Sequence, residues 1–146
     1  MRASLDHSFS FLLEKYGDSV PDWVRGPVAE AAFAAGYIDA DGSFGVYDGR
    51  GRFKLDSCDA PVHAWLDAWL DRIGVPHVSR RVEPRGLRSN GLPLNHDLYR
   101  INVNESLALL RLIATIEPFS RHERRRATMA AAAQNVVDRM RARAVA

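Results

Sequence analysis

The sequence predicts an α+β domain in which helices cover one face of a four-stranded antiparallel sheet. Three observations predict it: an alanine-rich helical segment at residues 27–38, two pairs of alternating strand-length segments, and apolar residues at helical spacing after each pair. The order of elements is then α-ββ-α-ββ-α-α. With 146 residues and 47% hydrophobic content, the chain has the size of one globular domain. We expect this domain to span residues 26–146, after an extension of a short helix and a loop at 1–25.

Arginine carries almost all of the positive charge. The formal net charge is +2, and of 20 lysine and arginine residues only Lys15 and Lys54 are lysine. Arginine suits bidentate contacts to phosphate and guanine, which favours a nucleic-acid partner. Codon bias in a GC-rich genome is the alternative explanation, and it would also account for the alanines. The placement of the arginines is therefore the better guide.

Hydropathy and cysteine usage restrict the compartment. No apolar run approaches the length of a bilayer span, and no signal-peptide pattern opens the chain. We expect no membrane partner and a cytoplasmic location, in a bacterial cytosol or an organelle matrix. The single cysteine, Cys58, excludes an internal disulfide framework, and we expect it to be a small buried residue.

The first predicted helix ends in two acids. Pro27 suits its first position, and alanines with Gly36 occupy the face that we expect to be exposed, so a second backbone could approach closely. Asp39 and Asp41 follow where the negative pole of the helix dipole disfavours carboxylates by roughly a few tenths of a kcal/mol or more. A divalent metal would supply the compensating charge, since hard cations take carboxylate and backbone oxygens. An ordinary Asp-Gly turn is the alternative.

The first strand pair, residues 43–48 and 52–57 with a tight turn at 49–51, should form an antiparallel ribbon. Alternation places Phe44, Val46, Phe53 and Leu55 on the core face. A ribbon whose other face carries arginine fits a major groove, and an ordinary solvated face is the alternative. That other face would hold Gly45, Tyr47, Arg52, Lys54 and Asp56.

The second strand pair follows a helix that Asp59 caps and that continues to Ile73. Its strands are residues 75–82 and 98–103. The loop at 83–93 is rich in breakers and arginine, so it is a candidate nucleic-acid contact, with disorder as the alternative. The arginines of this region are Arg80 and Arg81 on opposite strand faces, Arg85 and Arg88 in the loop, and Arg100 on the second strand.

Two helices end the chain. Asn104 should cap the first, which runs through Ile116 with Leu107 on its core face. Ser120-Arg121-His122-Glu123 has the form of a capping box for the last helix, which should end near residue 141. Cations at a helix N-terminus oppose the dipole, so phosphate contact is the simplest reason for the cluster there. The cluster consists of Arg121, Arg124, Arg125 and Arg126.

The end of the first helix also carries a longer signature, Ala34-Ala35-Gly36-Tyr37-Ile38-Asp39-Ala40-Asp41-Gly42-Ser43-Phe44. It resembles the motif of the LAGLIDADG homing endonucleases at seven of nine positions, and Ala34 and Tyr37 replace leucines. The resemblance implies an αββαββα fold whose sheet lies along DNA as a saddle, and a site-specific double-strand DNA endonuclease. Because the chain has one motif and no internal repeat, it also implies a homodimer on a pseudo-palindromic site.

The resemblance also implies roles for individual residues. Asp41 and the Ala40 carbonyl would bind Mg²⁺ for phosphodiester hydrolysis, and Asp39 would cap or support the metal shell. Ser57 or Asp56, at the end of the second strand, would orient water. Relatives often carry a basic residue where this chain has Glu123, so that role has passed to Arg121, Arg124 or Lys54, or it is lost.

Two larger surfaces follow from the same resemblance and from the strand pattern. The predicted dimer interface consists of Ala31, Ala32, Ala35, Gly36 and Asp39. The predicted DNA contacts are Tyr47, Arg50, Arg52, Lys54, Arg80, Arg81, Arg85, Arg88, Arg100, Arg121, Arg124 and Arg125.

The competing hypothesis is a catalytically weak or inactive nucleic-acid binder of the same fold. It would be an intron maturase that holds RNA, or a regulator of transcription. Asp41 favours the nuclease, because a carboxylate near phosphate would only repel a ligand that is bound without metal. A regulator would also be expected to carry a separate helix-turn-helix domain, for which 146 residues leave no room.

Overall fold

A computed structural model describes residues 20–87 and 93–145. The predicted α+β architecture is confirmed, with one added hairpin of two short strands. The expected helix at 5–16 and the predicted contact Arg88 lie outside the described residues. The elements are α1 (Pro27–Asp41), β1 (Gly42–Tyr47), β2 (Arg50–Ser57), α2 (Ala60–Arg72), β3 (Val78–Glu83), β4 (Gly86–Leu87), β5 (Pro93–Leu94), β6 (Leu98–Val103), α3 (Ser106–Ile116) and α4 (Glu123–Val145).

The main sheet has the strand order β1-β2-β6-β3, and all neighbouring strands are antiparallel. Apolar residues pair across its inner face: Phe44 lies opposite Phe53, and Leu55 lies opposite Ile101. Since side chains alternate along a strand, the register puts the polar residues of these strands together on the outer face. The pattern of alternation had predicted this division of β1, β2 and β6.

The helices close the core over the inner face. α1 contacts β1, β2 and α3, while α4 lies across β1 and β2. The approach of α4 is close at Gly51, where an added Cβ would lie 2.6 Å from the carbonyl oxygen of Ala132. The core includes Ile38, Trp69 and Met129, each at most 2% exposed. Among the helices that the structure describes, none is long and apolar enough to cross a bilayer.

The face of α1 differs from the prediction. Ala31, Ala34 and Ala35 are buried within the protomer rather than exposed, because their small side chains let α1 pack closely on its neighbours. Ala31 and Ala35 are therefore wrong as dimer-interface residues. Ala32 and Gly36 are exposed, as expected.

The start of α3 also differs. Its N-cap is Glu105, which makes no side-chain capping bond, so the predicted cap at Asn104 is wrong. Leu107 is 67% exposed, and the buried stripe runs instead through Ala108, Leu109 and Leu112. Both stripes of this helix are apolar, so periodicity alone could not choose between them.

Three smaller predictions are corrected. The first hairpin turns at Asp48 and Gly49, which both have positive φ, so Arg50 already belongs to β2. Val46 and Cys58 are exposed rather than buried.

The segment expected to be a plain loop, residues 83–93, contains the arms of the hairpin β4–β5. The Asp97 carboxylate accepts from the Arg85 backbone N–H at 2.7 Å and from the Arg81 guanidinium at 3.0 Å. These contacts tie the base of the hairpin together.

Candidate active site and nucleic-acid interface

The two acids of the motif lie at the junction of α1 and β1. Asp41 is the last residue of α1 and is exposed, with no hydrogen bond or ion pair among the described residues. Gly42 must follow it, because a Cβ there would lie 2.7 Å from the Ile38 carbonyl oxygen and 2.9 Å from the Phe53 ring. This tight turn fixes the Asp41 carboxylate at the surface where α1 meets the sheet.

Asp39 has the opposite environment, since its carboxylate is engaged by the connection between α3 and α4. It accepts from the Ser120 hydroxyl at 2.5 Å and from the backbone N–H groups of Arg121 at 2.7 Å and His122 at 3.0 Å. Partial burial would raise the pKa of Asp39, but these three hydrogen bonds outweigh it and hold the pKa below its ordinary value. We expected Asp39 either to cap or to support a metal shell, and these contacts match the capping role. They lie within one chain, whereas Asp39 was also predicted in a dimer interface.

The start of α4 corrects the predicted capping box. Ser120 is 1% exposed and is bonded to Asp39, while Glu123 is the first residue of the helix. The His122 Nδ1 accepts from the Arg125 backbone N–H at 3.2 Å, so His122 caps the helix in place of Ser120. Glu123 lies at the positive pole of the dipole, which accounts for an acid at this position. The Ser-x-x-Glu pattern favoured Ser120 as the cap of α4. Nothing in the sequence distinguished a cap at Ser120 from a cap at His122.

An open pocket of about 530 Å³ lies between the start of β1 and the start of α4. Its cations are Arg124 and Arg125, and its other polar groups include His122, Ser43 and Thr128. The Arg125 Nε is buried without a hydrogen-bond partner among the described residues. The other end of the same guanidinium makes only a 3.4 Å contact with the Asp39 carbonyl oxygen. The pocket therefore presents unneutralised guanidinium groups next to the Asp41 end of α1.

The outer sheet face is basic but contains one strong internal pair. Register places Arg52, Lys54 and Arg80 on this face with Arg100. The Arg100 guanidinium donates two hydrogen bonds to the Asp56 carboxylate, at 2.5 and 2.8 Å, which lower the pKa of Asp56 and raise the pKa of Arg100. Arg100 therefore mainly orients an acid here, and Arg81 is similarly paired with Asp97 at 3.0 Å. The exposed polar groups on this surface include Tyr47, Arg50, Lys54, Arg80 and, beside the small hairpin, Arg85.

Ser57, which we expected to orient water, forms hydrogen bonds within the protein. It is 5% exposed, and its hydroxyl shares a 2.6 Å hydrogen bond with the Tyr37 phenol and accepts from the Asp59 backbone N–H at 3.0 Å. Burial raises the pKa of Tyr37, and the charge of Asp41 acts in the same direction. Ser57 thus anchors the aromatic ring that stands on α1 near Asp41. The other suggested water-orienting residue, Asp56, is bound to Arg100.

Within one protomer, the described residues contain no group of three or more His, Cys, Asp or Glu side chains placed to hold a metal ion. At the end of α1 there is one exposed carboxylate, that of Asp41, next to the backbone carbonyl of Ala40. These are hard oxygen donors of the kind that Mg²⁺ takes, but two groups supply only part of a coordination shell.

The exposed side of α1 runs past this site. Val28 is 69% exposed, and Ala32, Gly36 and Ala40 follow at intervals of four residues. A Cβ added at Gly36 would meet nothing within 4 Å, so the surface there is open. This side of α1 is an apolar strip with no long side chain along its middle.

Comparison with solved structures identifies the fold. The homing endonuclease I-CvuI, in complex with its target in the presence of Ca, has a TM-score of 0.54 at 17% identity, covering 75% of this chain and 67% of that one. I-CvuI with the I-CreI target in the presence of Mg, in which the DNA is not cleaved, has a TM-score of 0.53 at 16% identity and the same coverage. The archaeal intron-encoded homing endonuclease I-Vdi141I, in complex with DNA, has a TM-score of 0.41 at 20% identity, covering 62% of this chain and 55% of that one.

No protein-family model matches this sequence, and no curated protein matches it. The link to known proteins is therefore carried by the motif at residues 34–42 together with the similarity in fold. The chain has the fold of the homing endonucleases, as its LAGLIDADG-like motif implies.

Proposed function

We propose that this protein is a site-specific DNA endonuclease that hydrolyses both strands of a long pseudo-palindromic site as a Mg²⁺-dependent homodimer. It would act in a cytoplasmic compartment that holds DNA, a bacterial cytosol or an organelle matrix. The observation that carries the proposal is the environment of Asp41. Its carboxylate is exposed and without a hydrogen bond or ion pair in the described structure, at the negative end of a helix and beside the cations of the pocket at α4.

A carboxylate at a helix C-terminus is unfavourable, and next to DNA phosphates it is more so. Asp39 has its compensation in the N–H groups at the start of α4, but Asp41 has none among the described residues. A cation held between Asp41 and a phosphate would remove both penalties, which supports a metal at this acid.

Asp41 and the Ala40 carbonyl are the groups of each protomer that would hold Mg²⁺, and their oxygen donors fit that ion. When bound, Mg²⁺ supplies an activated water and stabilises the leaving oxygen. Arg124 and Arg125 would hold the neighbouring phosphate through the open pocket that they line. Lys54 lies opposite Ser43 on the outer face, and it would add positive charge close to the same position.

The dimer part of the proposal rests on the apolar strip of α1. Two copies could pack with Val28, Ala32 and Gly36 in contact across a two-fold axis, because small residues allow helices to approach closely. Such packing would bring the Asp41 carboxylates of the two protomers together. It would thereby complete the donor set that one protomer lacks.

The test of catalysis is the Asp41→Asn variant. The substrate is a duplex in which the two sequences that flank the gene are joined directly, as in an uninterrupted insertion site. This duplex is incubated with purified protein and Mg²⁺. Wild type should cut both strands, and Asp41→Asn should bind the same duplex but lose cleavage by about a hundredfold or more, as expected when a metal ligand is removed. Asp48→Asn is the matched control, because it removes one exposed carboxylate near the same sheet and should leave cleavage intact.

Cleavage by Asp41→Asn at the wild-type rate would overturn the catalytic assignment. Specific binding by wild type without cleavage, in the presence of Mg²⁺, would favour the competing DNA- or RNA-binding function. Glu123, at a position that is often basic in relatives, is the sequence feature that keeps this alternative open. Arg124 and Arg125 line the α4 pocket, so positive charge is present near this site despite Glu123.

The dimer is tested at Gly36. In Gly36→Leu the new side chain points into open space in the protomer, so the fold should be kept, but it would clash with a helix packed against α1. Sedimentation should show a dimer for wild type and a monomer for the variant. Ala68→Leu, an exposed alanine of α2, is the control and should remain dimeric. A monomeric wild-type protein bound to DNA would contradict the dimer.

A further inference from the structure

A second basic pocket lies at the other end of the main sheet. It has a volume of about 340 Å³, and three arginines from two elements converge on it: Arg50 from the start of β2, and Arg139 and Arg143 from the last turns of α4. β1 and α4 both run from the Asp41 end towards this pocket, and their lengths put it roughly 20–30 Å away. It is therefore distinct from the pocket next to Asp41.

The charge of this pocket is not neutralised within the described structure. Glu105 is its one acidic lining residue, and no ion pair joins Glu105 to any of the three arginines. The helix dipole favours a cation in the last turn of a helix, which would explain Arg143 without any ligand. That explanation does not extend to Arg50, which belongs to a strand and faces the same space.

The pocket is continuous with the outer face of the sheet. Asn104 lines both this pocket and the groove of that face that contains Arg52 and Lys54. Arg50 itself pairs with Tyr47 on the outer face. A backbone that lies along the outer face would reach the pocket where the strands end.

We propose that Arg50, Arg139 and Arg143 grip a backbone phosphate of duplex DNA beyond the base pairs that lie under the sheet. The inference rests on the proposed function, since it takes the outer face as the DNA surface. Guanidinium groups bind phosphate oxygens in paired hydrogen bonds, and a phosphodiester would neutralise the cluster. Such a contact lengthens the footprint and adds affinity without reading sequence.

The experiment measures how DNA affinity depends on salt, with the full chain and a random-sequence duplex as the probe. The logarithm of the binding constant falls with the logarithm of salt concentration by about 0.9 for each phosphate contact. Arg139→Gln with Arg143→Gln should make the slope shallower by about 0.9 for each protomer bound, the value of one phosphate contact, and Arg143→Gln alone should account for part of that change. Glutamine keeps the helix propensity of arginine.

Arg141→Gln is the matched control. It removes the same charge from the same end of α4, and Arg141 does not line the pocket. If the arginines only stabilise the end of the helix, Arg141→Gln and Arg143→Gln should shift the thermal midpoint equally and leave the slope alone. The proposal requires that the slope changes for Arg143→Gln and not for Arg141→Gln.

The outcomes separate this proposal from the one on which it rests. If wild type does not bind duplex DNA even at low salt, both fail. If wild type binds and the double variant keeps the wild-type slope, the distal contact alone is overturned. A change of slope with duplex RNA but not with duplex DNA would overturn it as well.

Discussion

Asp39 and Asp41 stand two residues apart at the end of one helix and have opposite environments. Asp39 accepts three hydrogen bonds from the connection that leads into α4, and its pKa is lowered by them. Asp41 is exposed and makes no hydrogen bond or ion pair within the described residues. Both acids oppose the dipole of α1, but only Asp39 is compensated by the chain itself.

The difference separates an acid that the fold uses from an acid that the fold leaves exposed. The carboxylate of Asp39 accepts from the backbone N–H groups of Arg121 and His122, the two residues before α4, so it fixes where that helix and its arginines stand relative to α1. Asp41 contributes nothing comparable to the fold, and its charge remains available for a ligand. Stability and activity should therefore respond to the two acids in opposite ways.

The largest expected effect on stability comes from Asp39→Ala. It removes three hydrogen bonds and leaves the buried Ser120 hydroxyl without its acceptor. We expect the free energy of unfolding to fall by about 2–4 kcal/mol. Chemical denaturation at neutral pH, with all proteins at one concentration, measures it.

Asp41→Ala is the counterpart in the same experiment. Removing an exposed acid from a helix C-terminus should change the free energy of unfolding by no more than about 0.5 kcal/mol, and towards higher stability. Equal losses for the two variants would show that the acids do not divide the roles in this way.

A smaller effect is expected from acid. Because the pKa of Asp39 in the folded state lies below its ordinary value of 3.8, its carboxylate contributes stability that is fully present above that pH. The contribution is lost as pH falls through the lower, folded-state pKa. The difference in unfolding free energy between wild type and Asp39→Asn should therefore narrow as pH falls below 3.8, since a protonated aspartate resembles asparagine.

Denaturation of both proteins at a series of pH values checks this, and using the difference removes the shared titration of Asp56 and Asp67, whose pKa values are also lowered. A difference that stays constant from neutral to acid pH would contradict the hydrogen-bonded carboxylate at Asp39.

Much of the fold and part of the site could be predicted from the sequence. Alternation in residues 43–57 and 98–103 determined which side chains face the core, because successive residues of a strand point to opposite sides. The motif at residues 34–42 placed two acids and a tight glycine turn at the end of the first helix, and Gly42 has the close contacts that require glycine. These features depend on neighbours in the chain, so local pattern was sufficient.

Contacts between distant residues were decided only by the tertiary structure. Ser120 bonds to Asp39, 81 positions away, rather than to Glu123, and Asp56 binds Arg100 across two strands. Ala31 and Ala35 face inward because α1 packs on α3 and the sheet, although their small side chains suit an outer interface equally well. A local pattern lists the groups that need partners, but only the packed chain selects which of several equivalent partners comes within hydrogen-bonding distance.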